Sequence, residues 1–231
     1  MSFLIKKCDA NDDIYPKVLK HLNGMPQVLY YQGNISILNE NKCVAIVGSR
    51  KCSDEALSFS RKAGEEAARQ GLVVVNGLAI GCDTAALIGA LDAGGKCAII
   101  LPGGLEHITP KSNIEIAERI LKTGGCLISE YESYVTPKKY TYVQRDRLQS
   151  AVSQGVFVVE TKIDGGTMYT VEAATKQKRK IAAYALGVLN NGSGNKLIID
   201  RGNTSVTNID ELKNYYISLG KEMEWEQLSL F

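Results

Sequence analysis

No apolar run in the 231-residue chain approaches the roughly 20 residues that a membrane-crossing helix needs. The opening stretch MSFLIKKCDAND has neither the apolar segment nor the small-residue cleavage site of a secretory leader, so the expectation is a cytoplasmic protein with no membrane partner. Histidine is scarce, with only His21 and His107, and the six cysteines form no CxxC pair. No zinc-like cluster can be assembled, the thiols read as reduced, and no metal or cofactor is expected. An excess of charge of one sign is nearly absent as well: 27 Lys+Arg stand against 25 Asp+Glu, for a net +2. That excludes a protein that coats nucleic acid with bulk charge, and any such site must be a local patch. Repeats and low-complexity segments are missing, and a composition 45% hydrophobic and 23% charged excludes a disordered chain. Neither G-x-G-x-x-G nor G-x-x-x-x-G-K-[ST] occurs, which removes support from dinucleotide-oxidoreductase and P-loop ATPase readings.

What is present is a succession of short, continuously apolar runs closed by glycine or turn residues. They are Cys43 to Val47, Leu72 to Val75, Cys97 to Leu101, Cys126 to Ser129, Val156 to Val159, Ile181 to Tyr184 and Lys196 to Ile199. Continuous rather than alternating hydrophobicity suits strands buried on both faces, as in a parallel sheet covered by helices. Helix-like stretches lie between them: Ser53 to Gln70, Asp83 to Ala93, Lys111 to Lys122, Tyr142 to Ser153, Thr167 to Gln177 and Asn208 to Tyr216, with Ser53 and Asp83 placed as N-caps. The alternation predicts an α/β fold, a doubly wound, mostly parallel, Rossmann-like sheet in a single domain. Residues 1–40 show no clear periodicity and read as an extension packed on that core, residues 41–216 as the core itself, and residues 217–231 as a flexible tail.

In such a sheet, ligands bind outside the carboxyl ends of the strands, where helix N-termini favour an anion. The candidates there are Gly48-Ser49-Arg50-Lys51, Asn76 to Asp83 with Gly77 and Gly81, Pro102-Gly103-Gly104, Ser129-Glu130 and Gly165-Gly166-Thr167. Any one of these loops could serve only as a tight turn; five on one edge point to a phosphate-binding face. Charge is concentrated in the same half. Nine basic and four acidic residues lie between Pro137 and Lys180, a local excess of five positive charges that leaves the rest of the chain at −3. Lys138, Lys139, Arg145 and Arg147 are interleaved with Tyr131, Tyr134, Tyr140 and Tyr142. Aromatic rings beside cations are what a single-stranded nucleic-acid groove uses, rings for bases and charge for the backbone. Lys176 to Lys180 could equally solvate a helix end. Cys52 and Cys82 lie in the glycine loops without an activating His or acid and read as buried thiols.

VAIVGSRKCS, NGLAIGCDTAA, the Gly104-Leu105-Glu106 turn with Pro110 and Asn113, LISEYE and GGTMYTVEAATKQKRKIAAY follow one another as do the motifs of the DNA-processing protein A (Smf) family. From Asp12 to Tyr216 the chain resembles that family. The resemblance implies an extended Rossmann fold, single-stranded DNA binding in a basic pocket without an essential catalytic activity, a homodimer, and RecA recombinase as a partner. It implies that Gly48, Ser49 and Arg50 act as a phosphate loop. Tyr142, Arg145, Asp146 and Arg147 fall on the family's Phe-Pro-x-Arg-Asn-Arg segment, and Gly166 and Thr167 on its late Gly-Ser loop. Val143 and Asp146 stand where the family has Pro and Asn, and Leu148 to Ala151 replace an Ile-Ile-Ala-Gly run. Asp146 thus adds a negative charge near the expected phosphate path, or orients Arg145 or Arg147.

Gln227-Leu228-Ser229-Leu230-Phe231 resembles the bacterial sliding-clamp-binding pentapeptide, in which apolar anchors fill a pocket and Gln supplies oriented hydrogen bonds. Two other classes compete with the DNA-binding reading. A phosphoribohydrolase of the LOG group would use Gly165, Gly166 and Glu172, although Met168-Tyr169 stand where its Gly-Thr is required. A nucleotide sensor would show the same glycine loops.

Overall fold

The computed structural model describes residues 3–185 and 192–220. One nine-stranded sheet runs β1(Lys6–Asp9), β2(Val28–Gly33), β6(Cys126–Ser129), β5(Cys97–Ile100), β4(Val73–Asn76), β3(Cys43–Val47), β7(Gly155–Val158), β8(Lys180–Tyr184), β9(Thr204–Val206) across its width. From β6 to β9 all pairings are parallel, whereas β1 and β2 join antiparallel at the β6 edge. The chain moves outward from β3 to β6, then crosses back to place β7 on the other side of β3. That reversal is the topological switch point at which doubly wound sheets bind ligands.

Alternate residues of each strand face opposite layers, which explains why the runs are apolar throughout. Val44, Ile46, Val74, Ile99 and Phe157 pack under α2(Asp54–Arg69), α3(Cys82–Asp92), α4(Ile114–Lys122) and α8(Ile209–Leu219). On the other face, Val75, Ala98 and Ile128 meet α5(Lys139–Ala151) and the N-terminal segment, while Ala45, Val156 and Ile181 meet α6(Thr167–Lys176) and α7(Ser193–Asp200). Gly64 and Gly89 let α2 and α3 touch: a Cβ on either would stand 1.9 Å from a carbonyl oxygen of the other helix.

Three expectations need correction. Lys196 to Ile199 is not a strand but part of α7. A run of four apolar residues cannot by itself separate a strand from a buried helical turn, and here Asn195 decides by bonding Val159 O, Tyr184 O and Thr161 N from inside the first turn. The strand beside β8 is instead Thr204–Val206, whose two exposed polar residues suit an edge. Asp83 is not the N-cap of α3, a position Gly81 occupies with φ +83°; its carboxylate reaches back to the amides of Gly77 and Ala79 at 3.1 and 3.4 Å. Ser53 does cap α2, accepting from Ala56 N at 3.1 Å. Finally, Ile217–Leu219 form the last turn of α8 rather than the start of a tail, since Leu219 is buried and Lys180 Nζ donates to Ser218 O at 2.6 Å. The first 40 residues contribute two strands, a short α1(Ile37–Glu40) and a 3-10 turn over Lys17–His21 to the domain. Tyr15 is fully buried, and its hydroxyl donates to Pro26 O.

Candidate nucleic-acid interface

The loops at the carboxyl ends of β3, β4 and β7 are tied together by backbone bonds across the switch point. Ser49 N donates to Glu160 O at 2.7 Å, and Cys82 N to Ser49 O at 3.3 Å. Two glycines make this approach possible. A Cβ on Gly48 would lie 2.6 Å from Cys82 Sγ, and Gly81, at its positive φ, would place one 2.4 Å from Ser49 O. Glu160 is fully buried, and its carboxylate accepts from Ser53 Oγ at 2.7 Å and Ser53 N at 3.2 Å. The amino end of α2, where an open Rossmann crevice would hold a phosphate, is therefore occupied by the protein's own carboxylate.

What remains accessible lies outside that crevice. Arg50 and Lys51 are exposed, and the Arg50 guanidinium sits 5.4 Å from the centre of the Tyr142 ring, in cation–π range. Lys138, Lys139 and Tyr140 continue the exposed rim at the start of α5, and Gly166 stands open at the start of α6 beside the half-buried Thr167. The other glycine loops serve packing. Gly104 N donates to Val135 O at 2.7 Å, and Gly103 is pressed against Pro137. Ser129 Oγ accepts from Tyr131 N.

Helix phase divides the basic residues of α5. Arg145 is 6% exposed and lies beneath the β4 loop, so close to Gly77 that a Cβ there would meet its Nη1 at 1.6 Å. Its Nη1 donates to Ile100 O at 2.7 Å, and its Nε lies 3.0 Å from Asp146 Oδ1 as an ion pair without hydrogen-bond alignment. Burial raises both Asp83 and Asp146 to about 6, with the Arg145 charge opposing each shift and the Arg50 charge also opposing that of Asp146. Arg145 thus supports the Gly77 loop from below and does not reach the rim. Arg147 turns the other way, with Nη2 donating to Glu130 Oε2 at 2.6 Å. Burial pushes Glu130 above the usual carboxylate range, and the Arg147 charge opposes the shift.

Cys82 is buried, as expected, but Cys52 is half-exposed. A hydrogen bond between the two thiols lowers the pKa of Cys52 and raises that of Cys82. Glu172 lies on α6 with its carboxylate held by Arg201 at 2.6 Å. Among the described residues no group of His, Cys, Asp and Glu could hold a metal ion, and no helix is long and apolar enough to cross a membrane. Gln227 to Phe231 lie outside the described residues.

A family model for the DNA recombination-mediator protein A matches residues 7–216, spanning every strand of the sheet but the first residue of β1. The chain belongs to this family. It is 32% identical to Protein Smf of Escherichia coli over 204 residues, covering 88% of this chain and 54% of that protein. It is 35% identical to the DNA processing protein DprA of Streptococcus pneumoniae over 178 residues, covering 77% of this chain and 62% of the relative. The chain therefore spans little more than half the length of these relatives. The solved Streptococcus pneumoniae protein superposes with a TM-score of 0.82 over 92% of this chain and 74% of its own. DNA processing protein A from Helicobacter pylori, whose structure describes its single-stranded DNA binding mode, superposes with a TM-score of 0.84 at 26% identity, covering 94% of this chain and 97% of its own. Beyond the family, the molybdenum cofactor carrier protein of Chlamydomonas reinhardtii shares the fold, at TM-score 0.57 and 18% identity.

Proposed function

We propose that this chain binds single-stranded DNA along the rim formed by Arg50, Lys51, Lys138, Lys139, Tyr142, Gly166 and Thr167, without turning it over. One observation carries the reading. The cationic and aromatic side chains stand on an open rim, while the crevice that would enclose a mononucleotide phosphate is filled by Glu160. A rim of this kind suits a continuous backbone with bases stacked beside it. Membership of a DNA-processing family and the single-stranded DNA binding described for the Helicobacter pylori relative support it. The hydrolase reading finds less support, because Glu172 is ion-paired with Arg201 and, among the described residues, with no rim residue.

Fluorescence anisotropy with labelled oligo(dT) tests the proposal. Arg50→Ala should weaken binding roughly tenfold and lower the log–log salt slope by about 0.7, one single-strand phosphate contact. Binding that is absent at low salt, or indifferent to Arg50, would sink it. Recruitment to a sliding clamp by Gln227 to Phe231 is part of the same proposal. Deleting those five residues should abolish co-elution with the bacterial clamp and leave oligo(dT) affinity intact, and clamp binding by the truncated chain would refute that part. A homodimer and contact with RecA recombinase complete the proposed role in recombination or DNA processing.

A further inference from the structure

A second concave surface lies beside the rim, between α5, α6 and the 3-10 turn at Lys17–His21. It encloses about 490 Å³, within the range of a site for a ligand of nucleotide size. Its apolar wall comes from Val18, Leu22, Val143 and Ala151, and Tyr169 stands at it 55% exposed. Among the described residues Arg147, Lys176, Lys178 and Arg179 line it against a single acid, Glu172, which is ion-paired with Arg201. Val143, Arg147 and Ala151 recur every fourth residue, so they form one stripe of α5 running down from the rim, where Tyr142 is the immediate neighbour of Val143.

At the buried back of this groove three polar atoms have no hydrogen-bond partner among the described residues: Arg147 Nη1, Arg179 Nε and Gln177 Oε1. The remaining bonds of these side chains hold them in place. Arg147 is fixed by Glu130, Arg179 Nη2 donates to Ala151 O at 2.6 Å, and Gln177 Nε2 donates to Arg147 O at 3.0 Å. Arg179 is only 8% exposed, and no described carboxylate lies within ion-pair distance of it. Buried polar groups are ordinarily satisfied, and a buried cation ordinarily has an anion. Atoms so deeply buried do not themselves reach a ligand, but Arg179, with no described carboxylate beside it, leaves positive charge behind the groove floor that suits the phosphate of a nucleotide.

We infer that the α5/α6 groove is a second nucleic-acid subsite, into which a single strand crossing the Arg50–Tyr142 rim descends, stacking a base on Tyr169 and setting its phosphates against Arg147, Lys176 and Arg179. The inference rests on the proposed DNA-binding function and extends it from a rim contact to a path over two faces of the domain. It also gives the Lys176 to Lys180 cluster a role beyond solvating the end of α6.

The test compares short and long oligo(dT), of about 5 and about 20 nucleotides, with variants at two exposed positions that leave the core untouched. Tyr169→Ala should weaken the long strand roughly tenfold and leave the short one unchanged, because only the long strand spans both subsites. Lys176→Glu should do the same with a shallower salt dependence. Photocrosslinking from 5-iododeoxyuridine placed along the long strand should label Tyr169 from one position and Tyr142 from another. Unchanged long-strand affinity in both variants, with crosslinks confined to the rim, would overturn the subsite. Arg50→Ala separates this failure from that of the parent proposal. A short strand sensitive to Arg50 upholds the rim whatever the groove does, and no binding of either strand overturns both.

Discussion

Arg145→Met should lower the unfolding free energy by about 3–5 kcal/mol, the largest effect of any single change in the basic segment. The side chain is 6% exposed, so methionine fills a comparable volume and the loss comes from what the guanidinium leaves behind. Ile100 O loses the donor that reaches it at 2.7 Å, and Asp83 and Asp146, 5% and 9% exposed, lose the only cation buried with them among the described residues. Removing one member of a buried charge cluster strands the others, which is far more costly than removing a surface ion. Urea denaturation at pH 7.5 measures this as a lower midpoint at unchanged slope. Arg50→Ala, on the exposed rim, should stay within about 0.5 kcal/mol of the parent. Equal stabilities for the two variants would show that Arg145 is no structural cation. The contrast also guards the DNA-binding assay, since lost affinity in Arg145→Met reports a collapsed Gly77 loop and not a lost phosphate contact.

The parallel core was legible because β3 to β8 are buried on both faces, so their hydrophobicity is unbroken over four or five residues. The edges were not. Thr204-Ser205-Val206 is two-thirds exposed polar residue, and β1 is Lys6-Lys7-Cys8-Asp9 with one buried position. Such strands are held by pairing with a neighbour and not by their own pattern. Lys196 to Ile199 erred in the opposite direction: its apolar run is real, but Asn195 and the Lys196–Asp200 pair, 2.6 Å apart at i,i+4, fix it as a helix.

At the site, residue types were readable and their directions were not. The rim lysines were visible as cations beside aromatics and Arg50 as part of a glycine loop, but the stacking of Arg50 on Tyr142 joins residues 92 positions apart and was not. A helix of 3.6 residues per turn sends Arg145 and Arg147, two apart, to different sides wherever it begins; which of them faces the core is set by the packing of α5 on the sheet. The expected start at Tyr142 is three residues late, as α5 begins at Lys139. Glu160 offered no signal at all. A lone acid at a strand end reads as solvated, and only the folded loop shows it capping α2. The α5/α6 groove was equally hidden, since it joins Val18 and Leu22 to residues more than 120 positions later.

Asp146→Asn should stabilise the protein by roughly 1–2 kcal/mol at pH 7.5 and flatten its stability profile between about pH 7 and 4. Asp83 and Asp146 are raised from 3.8 to about 6 in the folded chain, by burial first, and they share one guanidinium. Above pH 7 the cluster holds two negative charges against one positive. As pH falls through about 6 the folded state takes up a proton that the unfolded chain does not bind until about pH 4, so stability rises on acidification across that window and levels off below it. The first proton balances the cluster, and the second is bound less readily because a neutral arrangement then becomes cationic. The slope should therefore approach one proton, about 1.4 kcal/mol per pH unit, and not two. Asparagine removes the excess charge and can still accept the 2.8 Å bond from Gln149 Nε2. It also leaves Arg145 wholly to Asp83, whose pKa should then fall. Asp146 further lies within the field of Arg50, so its neutralisation should free that cation for phosphate and tighten oligo(dT) binding a few-fold at low salt. Parallel stability profiles for parent and variant from pH 5 to 7.5 would show that this carboxylate does not titrate there, and the buried cluster would then have to be electroneutral by another route.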